Sequence, residues 1–405
     1  MNLSKKEITI VVILALLTAL EALSIDLYLP AFQSIAEDLN ADIGKVQVSL
    51  AVFLGGFAVG QLLWGPLSDR FGRKWPMIGA IAIYTVASLL VLTVSSIEEL
   101  WLFRFIQAFS GSAGVVIARA VVTDIFDKKR TTSIFALLAL IIGVAPIIAP
   151  GIGNLLVKQG NWHNVFLAMG ILGAVATLSV IFLLPETLKK AKSKTKSLVK
   201  RRSVVASYLH VFSNKQFVIY TLVGSMAYSG LMVYISNSPF LIMEKGGFSG
   251  TQYSLIFGAN AVGMMMATYA VNFLMKIMSL REIVKYFSFI QVLIGCLLVV
   301  GVLANLPVNF MLVMIFLYLM PTGILFPTTT DLALESFQND SGTASAVFGF
   351  SQLAVTFVVA AVIGLVQGGT VAPMVLGLFF CALASACFSI FYASGKSVKR
   401  AMVAH

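Results

Sequence analysis

Gly65-Pro66-Leu67-Ser68-Asp69-Arg70-Phe71-Gly72-Arg73-Lys74 is a polar decapeptide between two long apolar stretches. Its composition is that of a built turn. Pro66 lacks a backbone donor and favours ending a helix, and Gly72 supplies dihedrals that other residues avoid. Asp69 is the one acid beside three bases and is expected to cap a helix N-terminus, where the helix dipole favours negative charge. A loop that only had to keep positive charge would need the bases but not the spaced Gly65, Asp69 and Gly72. The flanking stretches, at about 46–67 and 76–95, are each long enough to cross a bilayer as helices.

The same kind of apolar run recurs along the whole chain. Of its 405 residues 59% are apolar and 11% charged, whereas a soluble domain carries roughly a quarter charged residues. Runs fall at about 8–30, 46–67, 76–95, 99–123, 132–156 and 163–184, and again at about 216–243, 252–275, 283–304, 308–330, 343–366 and 371–394. They are continuous rather than alternating, which predicts helices and excludes the strands of a membrane barrel. Lys5 and Lys6 ahead of the first run are also compatible with a signal peptide. Asp26 and Pro30 follow without a small-residue cleavage site, so the run is retained as a span. The expected architecture is an all-α membrane protein with twelve transmembrane helices. Cys296, Cys381 and Cys387 lie in apolar runs and His163, His210 and His405 are scattered. Neither set has metal-ligand spacing, so no metal and no cofactor is expected.

The net charge of +11 is a topology signal rather than a sign of nucleic-acid binding. With the N-terminus in the cytoplasm, the basic loops fall on that side: Lys5 and Lys6, Arg70 to Lys74, Lys128 to Arg130, Lys189 to Arg202 with Lys215, Lys276 to Lys285, and Lys396 to Arg400. Only Lys45, Lys158 and Lys245 fall opposite, with Arg104 and Arg119 inside a span. Both termini are therefore expected in the cytoplasm. The long polar stretch 185–214 reads as a cytoplasmic linker between two six-helix halves, 1–184 and 215–405.

Three groups of residues carry a family likeness. The turn Gly65–Lys74 resembles the hallmark of the major facilitator superfamily between its second and third spans. Arg104-Phe105-Ile106-Gln107-Ala108 is similar to that family's Arg-x-x-Gln-Gly signature, with Ala108 in place of the glycine. Gly143-Val144-Ala145-Pro146-Ile147-Ile148-Ala149-Pro150-Gly151-Ile152-Gly153 resembles the Gly/Pro signature of its antiporter branch. Ser24 to Ala31, Pro185-Glu186-Thr187, Ser238-Pro239-Phe240 and Tyr392-Ala393-Ser394 further resemble the bicyclomycin/chloramphenicol-resistance (Bcr/CflA) drug:proton antiporters. The resemblance implies the major facilitator fold and a conformational lock formed by Gly65, Asp69, Arg70, Gly72 and Arg73. It also implies a bacterial inner-membrane location and a monomer. Gly143, Pro146, Pro150, Gly151 and Gly153 are expected to bend and tightly pack the fifth span.

Charges inside spans are costly and mark functional sites. Glu21, Asp26, Arg104 and Arg119 lie well inside. Asp26 and Arg104 sit at matching depth near the outer ends of the first and fourth spans, neighbours in the resembled fold. An arginine there would keep Asp26 ionised, which makes Asp26 the expected proton carrier and Arg104 its tuner. The alternative is a fixed ion pair between two helices. Glu21, on another face, is expected to serve protonation or recognition of a cationic substrate. Arg119 is expected to snorkel to the cytoplasmic interface. A substrate cavity between the halves is expected to draw on Tyr28, Gln61, Gln107, Tyr228, Tyr234, Asn237, Phe240 and Asn260, with Met264 to Met266 as adaptable surface.

Three function classes compete. One is a proton-driven exporter of small amphipathic toxic molecules; the second is a dedicated exporter of a metabolite such as an amino acid or siderophore. The third, a membrane enzyme, lacks a nucleophile–base pair, a His cluster or a phosphate-cradling loop. No Walker-type motif is present, so an ion gradient, here protons, is the expected energy source.

Overall fold

The computed structural model describes residues 4–188, 204–337 and 341–403, and no strand occurs among them. The spanning helices are α1 (Lys5–Asp26), α2 (Ile43–Phe71), α3 (Lys74–Leu90), α4 (Ile97–Ile125), α5 (Lys128–Lys158) and α6 (His163–Leu183). They continue with α7 (Lys215–Pro239), α8 (Gly250–Leu274), α9 (Leu280–Leu303), α10 (Val308–Leu334), α11 (Ser341–Leu365) and α12 (Ala372–Val403). Each of the twelve expected spans has its helix, and all twelve are long and apolar enough to cross a membrane.

Several helix starts are written locally. Ser4 accepts from the Glu7 backbone while Glu7 reaches back to Ser4. Ser249 with Gln252 and Ser279 with Glu282 repeat this reciprocal cap at α8 and α9, each satisfying donors that a helix start leaves open. The chain after α1 turns through Leu29–Ala31, with Pro30 in the first turn, into a short helix Phe32–Asp38.

Pro66 does not end the second helix, as the sequence had led us to expect; α2 runs on to Phe71. A spanning helix tolerates a proline because neighbouring groups take up the freed carbonyl. The stop comes at Gly72, whose φ of 95° lies in the region that favours glycine.

The residues group into two compact units, Met1–Asp42 with Val52–Arg202 and Ile43–Ala51 with Ser203–His405. In the first, α1 packs on α4, α5 and α6, and α3 packs on α4 and α6. Leu14, Leu17, Ile81, Tyr84, Ile117 and Val121 form its buried centre. Lipid offers no hydrophobic drive between helices, so close packing and polar contacts hold them. At Gly114 a Cβ would stand 2.9 Å from the Leu17 carbonyl oxygen, so only glycine permits this approach of α4 to α1.

In the second unit, Phe217, Tyr220, Val223, Val347 and Phe348 are buried together. Buried polar contacts tie the helices: Ser229 to Thr356 at 3.1 Å and Gln291 to Thr322 at 2.8 Å. A π-helical turn, Phe240–Lys245, closes α7. The stretch 185–214 is not all linker. Lys189 to Ser203 lie outside the described residues, whereas Val204–Phe212 is a helix. Tyr208 and Val211, three residues apart, place an apolar stripe against the core that holds Phe217 and Phe337, which is why this segment is helical and docked.

Gly114→Val should overpack the α1–α4 contact and lower stability by about 1–3 kcal/mol. Gly79→Ala, where a Cβ meets nothing within 4 Å, should be neutral or gain up to ~1 kcal/mol. Thermal unfolding of the two variants in detergent checks both.

Candidate functional site

Arg104 is fully buried in α4. Its Nη2 donates to the Ser24 carbonyl at 3.0 Å and its Nη1 to Gln107 Oε1 at 2.7 Å. Gln107 Nε2 in turn donates to Ser88 Oγ at 2.7 Å, and the Ser24 and Tyr84 hydroxyls share a 2.7 Å bond. The α1, α3 and α4 helices are thus stitched at one depth by neutral groups around one cation.

Asp26 is 3% exposed, and among the described residues it forms no ion pair with Arg104. The guanidinium bonds the carbonyl two residues earlier instead. Glu21, half-buried, lies within electrostatic reach of both Asp26 and Arg119. Arg119 is exposed on α4.

The second site is the turn between α2 and α3. Arg73 is 7% exposed and sits among acids. It bonds Asp69 one turn back on α2, Asp124 on α4 at 2.9 Å, and Ser68 Oγ at 3.0 Å. Burial works against its charge, but the Asp124 and Asp69 bonds outweigh that and hold it protonated. Arg70, expected to share the lock, is exposed, rests on the Phe71 ring at 5.3 Å and enters no ion pair among the described residues. Gly65 is half-buried beside Val116.

Asp69 is not the helix cap that its position had led us to expect, because it falls in the last turn of α2. The cap of α3 is Glu186, from the chain beyond α6. Its carboxylate accepts from the backbone N–H of Arg73 at 2.9 Å and of Lys74 at 3.1 Å. A Cβ at Gly72 would stand 2.5 Å from Glu186 Oε2, so the glycine serves both the turn and this docking. Thr187 adds a 3.2 Å bond to Asp124, and Lys74 Nζ reaches the Ile181 carbonyl at 2.8 Å. Sequence reasoning used Pro185-Glu186-Thr187 only as a family marker and did not single out Asp124. An acid one turn after the sixth span and another at the end of the fourth were the signals available.

The fifth helix continues unbroken through Pro146 and Pro150. Gly153 meets the Leu27 carbonyl so closely that no side chain fits, whereas Gly151 has open space and Gly143 is half-buried. Of the residues expected to meet substrate, Tyr28 and Gln107 join the Arg104 cluster, and Gln61 is half-buried on α2. In the second unit Asn260 donates to the Tyr234 hydroxyl at 2.7 Å, and Tyr234 stacks on Phe257. Asn237 is fully buried, with Nδ2 on the Val233 carbonyl and, among the described residues, no partner for Oδ1. Tyr228 faces Phe326, and Phe240 lies under Lys245. Among the described residues no group of three His, Cys, Asp or Glu is placed to hold a metal.

Residues 14–360 match the model of the Major Facilitator Superfamily. The chain belongs to that family. It is a transporter, not an enzyme, and a multi-pass protein of the bacterial inner membrane. It is 30% identical over 381 residues to the MFS-type transporter YdgK of Bacillus subtilis, covering 94% of each chain. It is 27% identical to a bicyclomycin resistance protein homolog of Haemophilus influenzae, covering 98% of this chain and 99% of that one. Multidrug resistance protein D of Escherichia coli is 28% identical, with 85% of this chain and 86% of that one covered. Among solved structures, a D-xylose-proton symporter superposes with a TM-score of 0.77 at 14% identity, over 95% of this chain and 96% of that one, a likeness of fold.

Partial burial works to raise the Glu186 carboxyl, and the backbone N–H groups of Arg73, Leu188, Lys74 and Thr187 outweigh it, leaving it below its ordinary value. Its contribution to stability is therefore complete above the ordinary carboxylate range, about pH 4–5, and is lost as pH falls through the lowered value. Glu186→Ala should cost about 0.5–2 kcal/mol, as loss of a helix cap does, and flatten that acid limb. Melting curves of both proteins across pH check the sign.

Proposed function

We propose that the chain exports small amphipathic compounds, of the bicyclomycin or chloramphenicol type, in exchange for protons by alternating access. Both termini lie in the cytoplasm, and the protein works as a monomer. The observation that carries this reading is Asp26, a carboxyl 3% exposed in a span and, among the described residues, without an ion pair. A proton carrier needs a carboxyl that can be stable in either charge state, and a movable arginine supplies the difference. Asp26 carries the proton and Arg104 answers its charge. Glu21, with Arg119 as a nearby opposite charge, adds a second acid. The resistance relatives support drugs as cargo; within the second unit Tyr228, Tyr234, Asn237, Phe240 and Asn260, and in the first unit Gln61, offer aromatic and amide groups that suit such molecules.

The lock follows from the turn. Arg73, tied to Asp69 and Asp124, joins the ends of α2 and α4 to the turn, and Glu186 ties the end of α6 to the same place. Gly153, against the Leu27 carbonyl, lets α5 pack closely on the chain just after α1 and so hinder leakage, and Gly143, Pro146, Pro150 and Gly151 belong to the same helix.

In proteoliposomes with an imposed pH gradient, Asp26→Asn should abolish gradient-driven drug export while sparing drug binding. Full export by that variant, or equal export by the wild type after the gradient is collapsed, would sink the proton reading. Asp69→Asn should slow turnover several-fold with little change in affinity. A drop in affinity at normal turnover would count against the lock.

A further inference from the structure

Two opposite charges on the accessible surface of the first unit stand outside both the Arg104 cluster and the turn between α2 and α3. Of the two acids near the end of α1, Asp26 is buried and Glu21 is half-buried; of the two arginines inside α4, Arg104 is fully buried and Arg119 exposed. Among the described residues neither Glu21 nor Arg119 enters an ion pair, yet each lies within electrostatic reach of the other. A charge left accessible inside a span faces water or a polar ligand rather than hydrocarbon, where it would be costly.

The backbone sets how these two heads approach. Arg104 of α4 meets the Ser24 carbonyl of α1 and Gly114 meets that of Leu17, so the two helices run antiparallel. Glu21 stands four residues from the Leu17 crossing toward the Asp26 end of α1, and Arg119 five residues from it toward the Ile125 end of α4. At the α-helical rise their backbones are about 13 Å apart along the bundle. Side chains lean toward the N-terminus of their own helix. On α1 that lean carries the Glu21 carboxylate toward the crossing, and on α4 it carries the Arg119 guanidinium toward the same crossing. An arginine that only sought the near end of its span would lean the other way. The heads converge and stop short of contact, unlike Glu7 and Arg130 at the start of α1, which close to 2.7 Å.

We propose that Glu21 and Arg119 are the two poles of a binding site for zwitterions, in which a ligand carboxylate meets the Arg119 guanidinium and a ligand ammonium meets the Glu21 carboxylate. The planar fork of an arginine takes both oxygens of a carboxylate, and a glutamate accepts from the N–H groups of an ammonium. An anion at this place would be drawn by Arg119 and repelled by Glu21, and a cation the reverse. A ligand that carries both signs in the right order meets neither conflict. This deepens the exporter reading by naming a charge class of cargo, and it rests on that reading only for the statement that what binds is also carried.

The test uses the purified full-length protein in detergent and calorimetry at about pH 7.5, where ordinary carboxylates and ammonium groups are both charged. The probes are L-phenylalanine, phenethylamine and 3-phenylpropanoate, which share a ring and carry both charges, the positive one and the negative one. The wild type should bind phenylalanine about ten-fold more tightly than either other probe, as one further charged hydrogen bond would give. Arg119→Gln should bring phenylalanine down to the level of phenethylamine, and Glu21→Gln to the level of 3-phenylpropanoate. Equal binding of the three probes by the wild type overturns the site. So does an undiminished preference for phenylalanine in Arg119→Gln, which is what an arginine placed only to reach the membrane surface would give. Should a variant fail to fold, the three probes on the wild type decide the matter. Transport in proteoliposomes separates the site from the reading it builds on. Gradient-driven export of chloramphenicol by the wild type, with no preference for phenylalanine, removes the site and leaves the exporter. A phenylalanine preference that Arg119→Gln loses, in a protein whose export ignores the gradient, keeps the site and removes the proton reading.

Discussion

A guanidinium inside a membrane span must find every partner within the protein, because neither lipid nor bulk water is there to supply one. Arg104 meets that demand with a backbone carbonyl, a glutamine amide and ring faces rather than with an acid. Much of the first unit is arranged around this choice. Ser88 holds Gln107, Tyr84 holds Ser24, and glycine at position 114 lets α4 approach α1 closely enough for the contacts to form. Had Arg104 been locked to a carboxylate, both charges would be satisfied and neither would be available. Among the described residues Asp26 has no ion pair, which leaves its charge open to change, as the proposed proton exchange would need.

The turn between α2 and α3 solves the opposite problem. There the charges sit at the ends of the spans, where water lowers their cost, and all but Arg70 are bonded to one another or to α6 and the chain beyond it. One arginine gathers Asp69, Asp124 and Ser68, and one glutamate closes the helix that begins beside it. Three helices and the chain beyond α6 meet at this place. The same unit thus has one end rich in mutual ion pairs and one depth where a carboxyl stands apart, a division suited to a scaffold that is rigid in one region and responsive in another.

The twelve spans were legible because a lipid-facing helix writes its length in uninterrupted apolar residues, and α1 to α12 fall where those runs do. The turn was legible because Gly72 and the mixed charges have no use in a plain loop. The partners were harder to read. Arg73 meets Asp124 and Glu186 across separations that no periodicity encodes, and Pro66 was read as a stop by a rule that holds better in water than in a bundle. Arg104 was expected opposite Asp26 from matching depth alone. Depth follows from counting residues, whereas the partner depends on where a long side chain reaches, here a main-chain carbonyl. The helix Val204–Phe212 was hidden by the basic segment before it.

The acceptor that α1 presents to Arg104 is main-chain. A substitution at position 24 can delete the hydroxyl that meets Tyr84, but every amino acid there still presents the carbonyl. The anchoring of the cation is therefore insulated from the identity of the side chain at that position, which complete burial restricts to small ones.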